Sequence, residues 1–576
     1  MSWDERTIER QDQKGPSTFF SASLRLCVCA VGISLVFHGV AAAELATHGM
    51  VVSEHALASA AGVEILQKGG NAIDAAAATA LAVGVTNPTS CGIGGGGFLL
   101  AYFPGTQRAV ALDYRERAPA AATREMFIRD GKADPALSRS GGLAIAVPGE
   151  VAGLTHAVRR YGRLPFATVI APAVRLARDG FPIGAHLAES IAHNRDVIQT
   201  FPALAAVLLH PDGSPRAAGE PLKQPALAHT LENIAEQGPD AFYRGAVAAD
   251  IVDATRTAGG ILTVEDLAQY RPTARTPLRG GYRGHEVLTM PPPSSGGGVL
   301  LEILNIIARD DLVALGHNSP TTLHLLVEAM KHAFADRAEV YGDPDFVSVP
   351  LPRLLSLRYA TAVRDSISTR TTFDRDFYGA AEPSRDAGTS HLSVIDADGN
   401  AVAVTTTVNT AFGSMVLAPQ SGVILNNEMD DFAAQPGVPN VFGLIGAAAN
   451  AVAPHKRPLS SMTPTIVLDH NRAMLIAGGS GGPVIITATL QTLLNVVDFD
   501  FDVNAAVAAS RVHDQWVPEV LAVEPGIDVM TRTALERLGH HVREVPNLAA
   551  VQAVRVTAGG YTGAADPRKG GAAQGW

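Results

Sequence analysis

Gly388-Thr389-Ser390-His391-Leu392-Ser393-Val394-Ile395-Asp396 leads through Ala397-Asp398-Gly399-Asn400 into Ala401-Val402-Ala403-Val404-Thr405-Thr406-Thr407. Two stretches of alternating apolar residues flank a turn cluster in which glycine follows aspartate, the pattern of a β-hairpin. A hairpin centred near Asp398 sets Thr389 opposite Thr407 and close to Asn409, within cross-strand reach. Upstream, residues 366–388 are polar, arginine-rich and poor in apolar side chains, so the pattern changes abruptly at Thr389.

A threonine hydroxyl is a poor nucleophile alone. If the chain is cut before Thr389, the new α-amine, with a pKa of about 7.7–8.0, becomes a general base on the same residue. The junction therefore reads as a self-processing site that creates an amino-terminal nucleophile. A second hydroxyl at Thr407 would hold it by hydrogen bonding, although threonines at 405–407 also suit a strand simply as β-branched residues.

Outward from the hairpin, the chain alternates helix and strand signals. Residues 54–68 have helical apolar spacing and end at Gly69-Gly70; Asn71, with Asp74 three residues on, caps a second, alanine-rich helix reaching about Val85. Cys91-Gly92-Ile93-Gly94-Gly95-Gly96-Gly97-Phe98 is a glycine run entering a strand; it lacks the Lys-Ser/Thr of a phosphate loop and serves close packing of main chains. Pro291 to Gly298 reads as a rigid-then-flexible turn, and Ser319-Pro320 opens a helix with Leu323, Leu326, Val327, Met330 and Phe334 on one face, ending near Gly342. Helices dominate the first two thirds, and strands return after Thr389, including 521–523 and 551–556. Sheets and helices interleaved across a cut point predict a mixed α/β fold, a four-layer sandwich with helices outside two stacked sheets.

At 576 residues the chain exceeds one simple core, and a net charge of −11 with no basic stripe disfavours nucleic-acid binding. Residues 26–40 form an apolar run after Arg25, interrupted by His38 and followed by Ala41-Ala42-Ala43. That is a secretory signal rather than a membrane span, which needs about 18 or more apolar residues. Export to the periplasm or beyond is expected, with residues 1–43 removed, a mature chain starting near Glu44, and no stable membrane anchor. Cys27 and Cys29 fall in the leader, which leaves Cys91 without an internal disulfide partner. No cluster has zinc-ligand spacing, His540-His541 included, and no metal or cofactor is expected.

The C-terminal third carries the remaining candidate chemistry. Gly478-Gly479-Ser480-Gly481-Gly482 formally matches G-x-S-x-G after the strand-like residues 473–477, with Asp528 and His540 downstream in α/β-hydrolase order. The extra glycines and Pro483 make a looser turn than a nucleophile elbow. The cluster also reads as a plain glycine-rich turn, or, fitting better, as a nest whose Gly481 and Gly482 N–H groups receive an oxyanion. Asn426-Asn427-Glu428-Met429-Asp430-Asp431 offers carboxylates suited to an ammonium. Ser460-Ser461 offers hydroxyls for a carboxylate, and Arg115 a bidentate clamp for the same group.

Taken together these residues resemble the γ-glutamyltranspeptidase family of N-terminal nucleophile hydrolases. The resemblance runs from about Glu54 to Arg568 through Gly69 to Ala76, Gly94 to Phe98, Tyr114-Arg115-Glu116 with Ala118-Pro119, Val147-Pro148-Gly149, Met290 to Gly297, Asp396 to Thr407, Leu425 to Phe432, Pro458 to Met462 and Asp566-Pro567-Arg568. It implies an αββα fold and a heterodimer from one precursor: a large subunit, 44–388, and a small subunit, 389–576. Thr389 is then nucleophile in both the cut and catalysis, Thr407 its supporting threonine, and Gly481 and Gly482 the oxyanion donors. The resemblance implies that Arg115, Ser460 and Ser461 contact the substrate α-carboxylate, and Asn409, Glu428 and Asp431 the α-amino group. Glutathione and other γ-glutamyl amides are the implied donors, with water, amino acids or peptides as acceptors.

Two departures stand out. Ser390 follows the nucleophile where Thr or Ala is more familiar, and Phe442 occupies a lid position (436–458) where many bacterial relatives carry Tyr. A complete lid argues against the related cephalosporin acylases. Glu428 and Asp431 do as well, since a glutaryl side chain brings no α-amine to pair with them. Acylase activity on a glutaryl-type side chain stays the enzymatic alternative; a non-catalytic binder of γ-glutamyl peptides is the other, and an uncut chain would be its signature.

Overall fold

Two seven-stranded sheets lie face to face in the computed structural model, which describes residues 45–378, 388–435, 444 and 446–576. One sheet runs Ala572–Gly575, Gly49–Ser53, Ser390–Asp396, Ala401–Thr407, Gly96–Phe103, Arg108–Tyr114, Thr273–Arg275. The other runs Leu45–Ala46, Gly560–Ala565, Ala550–Thr557, Arg472–Ser480, Thr465–Asp469, His285–Thr289, Leu278–Tyr282. Strand alternation sorts the side chains into three layers of core. Phe98, Leu100 and Tyr102 of the first sheet meet Leu288, Ile466, Ile476 and Val554 of the second between the sheets. Leu99, Ala101, Leu392, Val394, Val402 and Val404 point the other way, against the helices Ala72–Thr86, Glu150–Tyr161 and Phe166–Asp179. Val467, Leu475, Ala477, Val551 and Ala553 pack outward on the helices Gly296–Ile307, Pro320–Val340 and Val484–Val497. The order is α-β-β-α, as expected.

The hairpin register follows the sequence pattern: Ser390 pairs Thr406, Leu392 pairs Val404 and Ile395 pairs Ala401. Asp396 fixes the turn by accepting from the Asp398 and Asn400 N–H groups at 3.0 Å. Its other carboxyl oxygen reaches 2.8 Å to the Ala72 N–H at the start of the alanine-rich helix. That helix begins with a full capping box, Asn71 Oδ1 accepting from Asp74 N and Asp74 Oδ2 from Asn71 N. Its small side chains are all buried, which lets it lie close under the sheet. The glycine run beside it is steric: a Cβ on Gly95 would sit 1.9 Å from the Thr407 carbonyl oxygen.

Two readings change. Strands are not concentrated after Thr389; Gly49–Ser53, Gly96–Phe103, Arg108–Tyr114 and Thr273–Arg275 build more than half of the sheet that Thr389 leads into. The Pro-Ser-Gly stretch is a turn only to Ser295. Gly296-Gly297-Gly298 opens a helix, because Cβ atoms there would meet Thr463, the Met290 carbonyl and the Tyr341 hydroxyl within 2.2 Å. The 388/389 junction falls inside one compact unit. The leader with its cut site near Glu44, Phe442, and lid residues 436–443 and 445 lie outside the described residues. Among the described residues no helix is long and apolar enough to cross a membrane.

Candidate active site

Gly388, at φ +91°, turns the chain so that its carbonyl oxygen faces two hydroxyls. Thr389 Oγ1 donates to it at 2.5 Å and Thr407 Oγ1 at 3.2 Å, and the two hydroxyl oxygens lie 3.4 Å apart. The Asn409 N–H donates to Thr407 Oγ1 at 2.7 Å, which leaves the Thr407 proton free to serve the carbonyl. Attack of Thr389 Oγ1 on the Gly388 carbonyl carbon closes a five-membered ring through Cβ, Cα and N. The arrangement thus supplies a nucleophile beside the peptide bond N-terminal to it, with that carbonyl already polarised. Asn409 itself sits at φ +80°, uncommon for a non-glycine residue. Its side chain is held by donation to the Asn427 carbonyl at 3.1 Å.

A pocket opens from this pair and is lined by Arg115, Asn409, Glu428, Asp431, Ser460, Ser461 and Gly482 together with Thr389 and Thr407. Arg115 is fully buried and arrives on the strand Arg108–Tyr114. Its guanidinium pairs through Nη1 with Glu428 and through Nη2 with Asp431, and donates to the Pro458 and Leu459 carbonyls at 3.3 and 3.1 Å. Burial opposes its charge, but Glu428, Asp431 and Glu116 outweigh that and raise its pKa. Burial is also the largest influence on Glu428 and Asp431, and it raises both despite the opposing arginine. Two buried cations, Arg115 and Arg337, share the pocket with the carboxyl groups of Glu428 and Asp431.

Ser460 and Ser461 are positioned by the Pro-Ser-Gly turn: Ser460 N donates to the Pro293 carbonyl at 2.9 Å and Ser295 N to the Ser460 carbonyl at 2.8 Å. Gly481 and Gly482, at φ +134° and +54°, follow the strand Arg472–Ser480 and precede the helix Val484–Val497. Gly482 lines the pocket; Gly481 is its chain neighbour, seated against Ala549.

The α/β-hydrolase triad does not form. Asp528 caps the helix Val529–Arg537 through Thr531 N at 3.0 Å, and His540 Nε2 bonds His324 Nδ1 at 2.7 Å. Ser480 Oγ accepts instead from Lys569 Nζ at 3.2 Å. The fold does gather His324, Glu328 and His540, which the sequence spacing hid. Every ligand atom there is engaged. His324 Nε2 reaches the Ser368 carbonyl at 2.7 Å, and Lys331 Nζ lies 3.5 Å from His540 Nδ1. Glu328 accepts from Thr372, Lys331 and Tyr378. Through Ser368, Thr372 and Tyr378 the cluster anchors the segment before the junction.

Three charged residues near the site, two buried and one half-buried, escaped the sequence reading. Arg337 donates to Ser295 Oγ at 2.8 Å and Ser461 Oγ at 3.2 Å, and burial lowers its pKa to about 10. It continues the Met330, Phe334 stripe at helical spacing, so a cation on an apolar face was the available signal. Glu54 and Lys569 flank the nucleophile strand. Lys569 immediately follows Asp566-Pro567-Arg568, one residue past the recognised motif.

A four-layer sandwich of this order, with a threonine at the mouth of a central strand, defines the class: an N-terminal nucleophile hydrolase fold. The chain belongs to the gamma-glutamyltranspeptidase family, whose model matches residues 58–576. It is 44% identical over 538 residues to the "Glutathione hydrolase proenzyme" of Escherichia coli strain K12, covering 92% of each chain. Among solved structures, a cephalosporin acylase from Bacillus halodurans superposes with a TM-score of 0.82 at 30% identity, covering 98% of this chain and 99% of that one. Helicobacter pylori gamma-glutamyltranspeptidase superposes at 0.55 with 39% identity over 57% of this chain and 93% of that chain.

Proposed function

We propose that the protein is a glutathione hydrolase and γ-glutamyltransferase, made as a precursor that cuts itself between Gly388 and Thr389 into a two-subunit enzyme. The observation that carries this reading is the paired approach of Thr389 and Thr407 to the Gly388 carbonyl. In the cut, Thr389 Oγ1 displaces its own amide nitrogen, and water releases Gly388 from the resulting ester. The freed α-amine then serves as base, Thr389 attacks the γ-carbonyl, and Gly481 and Gly482 N–H groups receive the oxyanion. The leaving amine departs, a γ-glutamyl-threonine ester remains, and water or an amino acid or peptide accepts the glutamyl group.

Substrate orientation follows from charge exchange. An α-carboxylate takes the guanidinium face of Arg115 with Ser460 and Ser461. The α-ammonium takes Glu428, Asp431 and Asn409, so each buried group trades one ionic partner for another. A glutaryl donor of the kind a cephalosporin acylase uses supplies only the anion and leaves two acids without a cation. The γ-glutamyl reading is therefore favoured, despite the likeness to that acylase structure. Residues 1–43 are proposed to direct export and to be removed.

Intact mass of purified wild type and Thr389→Ala, each with release of p-nitroaniline from its γ-glutamyl and glutaryl amides, tests the reading. Two fragments meeting at 388/389, an uncut inactive variant and preference for the γ-glutamyl amide are expected. An uncut wild type that turns over either amide rejects the mechanism.

A further inference from the structure

One ammonium meets three partners beside the proposed nucleophile. Lys569 Nζ donates to the main-chain carbonyl of Thr389, donates to Ser480 Oγ at 3.2 Å, and pairs with Glu54 Oε2 at 2.8 Å. An ammonium has three N–H donors and no acceptor; here two oxygens receive hydrogen bonds and Glu54 pairs with the charge. The lysine side chain is 12% exposed and Glu54 fully buried. Glu54 also accepts from Ser390 Oγ at 2.9 Å and from His391 N at 3.3 Å, gripping the two residues after Thr389.

The loop that carries the lysine is itself fixed. Asp566 accepts from Val551 N and Arg511 Nη2, each at 2.8 Å, and Arg568 pairs with Glu524 at 2.5 Å. Val551 lies on the strand Ala550–Thr557, whose Ala550 is in register with Ser480. The lysine is thus tethered to the same sheet that presents the glycine pair.

We propose that Lys569 is a positioning residue that braces the nucleophile against the oxyanion glycines; the inference rests on Thr389 being the nucleophile. Thr389 leads the strand Ser390–Asp396 of one sheet, whereas Ser480 ends a strand of the other, immediately before Gly481. Stacked sheets share no ladder hydrogen bonds, so the spacing between attacking oxygen and oxyanion donors depends on side chains that cross the gap. Lys569 touches both sides within one ammonium. The brace matters most after the cut, when Thr389 becomes a chain end that would otherwise fray. Misplacement by about 1 Å costs on the order of 10²-fold in rate.

The test compares the full-length chain as wild type, Lys569→Met, Lys569→Arg, Ser480→Ala, the Lys569→Met/Ser480→Ala double variant and Thr389→Ala. Fraction cut, melting temperature, and kcat and KM for γ-glutamyl-p-nitroanilide are measured. Lys569→Met is expected to lower kcat about 10²-fold, the cost of that misplacement, with KM within about threefold. Lys569→Arg should recover part of the loss, and adding Ser480→Ala should cost little more, because both act through one brace. Lys569→Met that is cut and turns over within about twofold of wild type overturns the proposal, as do losses that multiply in the double variant. If Lys569→Met fails to fold, Ser480→Ala decides: an unchanged kcat overturns the brace and a lowered kcat at unchanged KM supports it. Activity in Thr389→Ala would instead remove the nucleophile on which the brace depends.

Discussion

Thr407 Oγ1 stands 3.4 Å from Thr389 Oγ1 and shares with it a single acceptor, the carbonyl oxygen of Gly388. In the proposed cut, the second threonine would act on the bond to be broken as well as on Thr389. Replacing Thr407 with Ala removes a neutral hydrogen bond to the developing oxyanion. It should slow self-cleavage by about 10- to 100-fold, somewhat less than the loss of a full oxyanion donor. Thr407→Ser should restore most of the rate. A gel time course of purified precursor measures both, and equal cleavage by Thr407→Ala and wild type would remove Thr407 from the processing step.

Arg115 is expected to be the least replaceable residue of the pocket. Removing one partner of a buried ion pair leaves uncompensated charge and typically costs about 3–5 kcal/mol. Arg115→Met should therefore lower the melting temperature as well as kcat/KM. Arg115→Lys keeps the charge but loses the fork that meets Glu428, Asp431 and a carboxylate together, so its defect should appear mainly in KM. Calorimetry with steady-state kinetics separates the two. Wild-type KM in Arg115→Lys would contradict a bidentate role.

Gly481→Ala places a methyl within 2.9 Å of Ala549 at a backbone angle that side chains rarely adopt. If its N–H receives the oxyanion, the shift should lower kcat on the order of 10²–10³-fold while KM changes little. Pre-steady-state mixing would show slower formation of the γ-glutamyl ester rather than slower release.

Glu150 opens the helix Glu150–Tyr161, a position where the helix dipole favours a carboxylate by about 0.3–1 kcal/mol. Burial wins: it pushes the carboxyl up to about 8, with only the Thr406 hydroxyl at 2.9 Å opposing it. An unfolded glutamate loses its proton near pH 4.3, so between there and about pH 8 the folded chain binds more protons. Its contribution to stability is complete at low pH and is lost as pH rises through about 8, at up to about 1.4 kcal/mol per pH unit. Glu150→Gln should flatten that decline, read as the difference between denaturant titrations of variant and wild type from pH 5 to 8. Parallel curves would mean the carboxyl is ionised when folded.

What the sequence disclosed, it disclosed locally. The 396–400 turn sets the Thr389–Thr407 register because hairpin pairing depends only on nearby residues, and Asn71 and Ser319 announce their helices through caps at fixed offsets. Gly49–Ser53 stayed hidden, since a five-residue strand buried on both faces shows little alternation, and His285–Thr289, equally short, has only three buried residues to mark it. Arg337, Glu54 and Lys569 were missed for another reason. Each acts through a partner more than 40 residues away, and no local pattern marks such a pair. The Ser480, Asp528 and His540 order, already the weaker reading beside an oxyanion nest, does not assemble in space, because chain order carries no distance.

The strand Ser390–Asp396 pairs with Gly49–Ser53 on one side and Ala401–Thr407 on the other, and Ala401–Thr407 pairs in turn with Gly96–Phe103. Segments from both sides of the junction thus alternate within one sheet. As a single chain, the molecule finds these pairings at the high effective concentration that covalent linkage provides. Once cut, the same pairings require two chains to meet, so recovery from denaturation becomes concentration-dependent. Folding precedes the cut, and the cut makes folding hard to repeat: the mature enzyme is expected to persist by the slowness of its unfolding rather than by ready return.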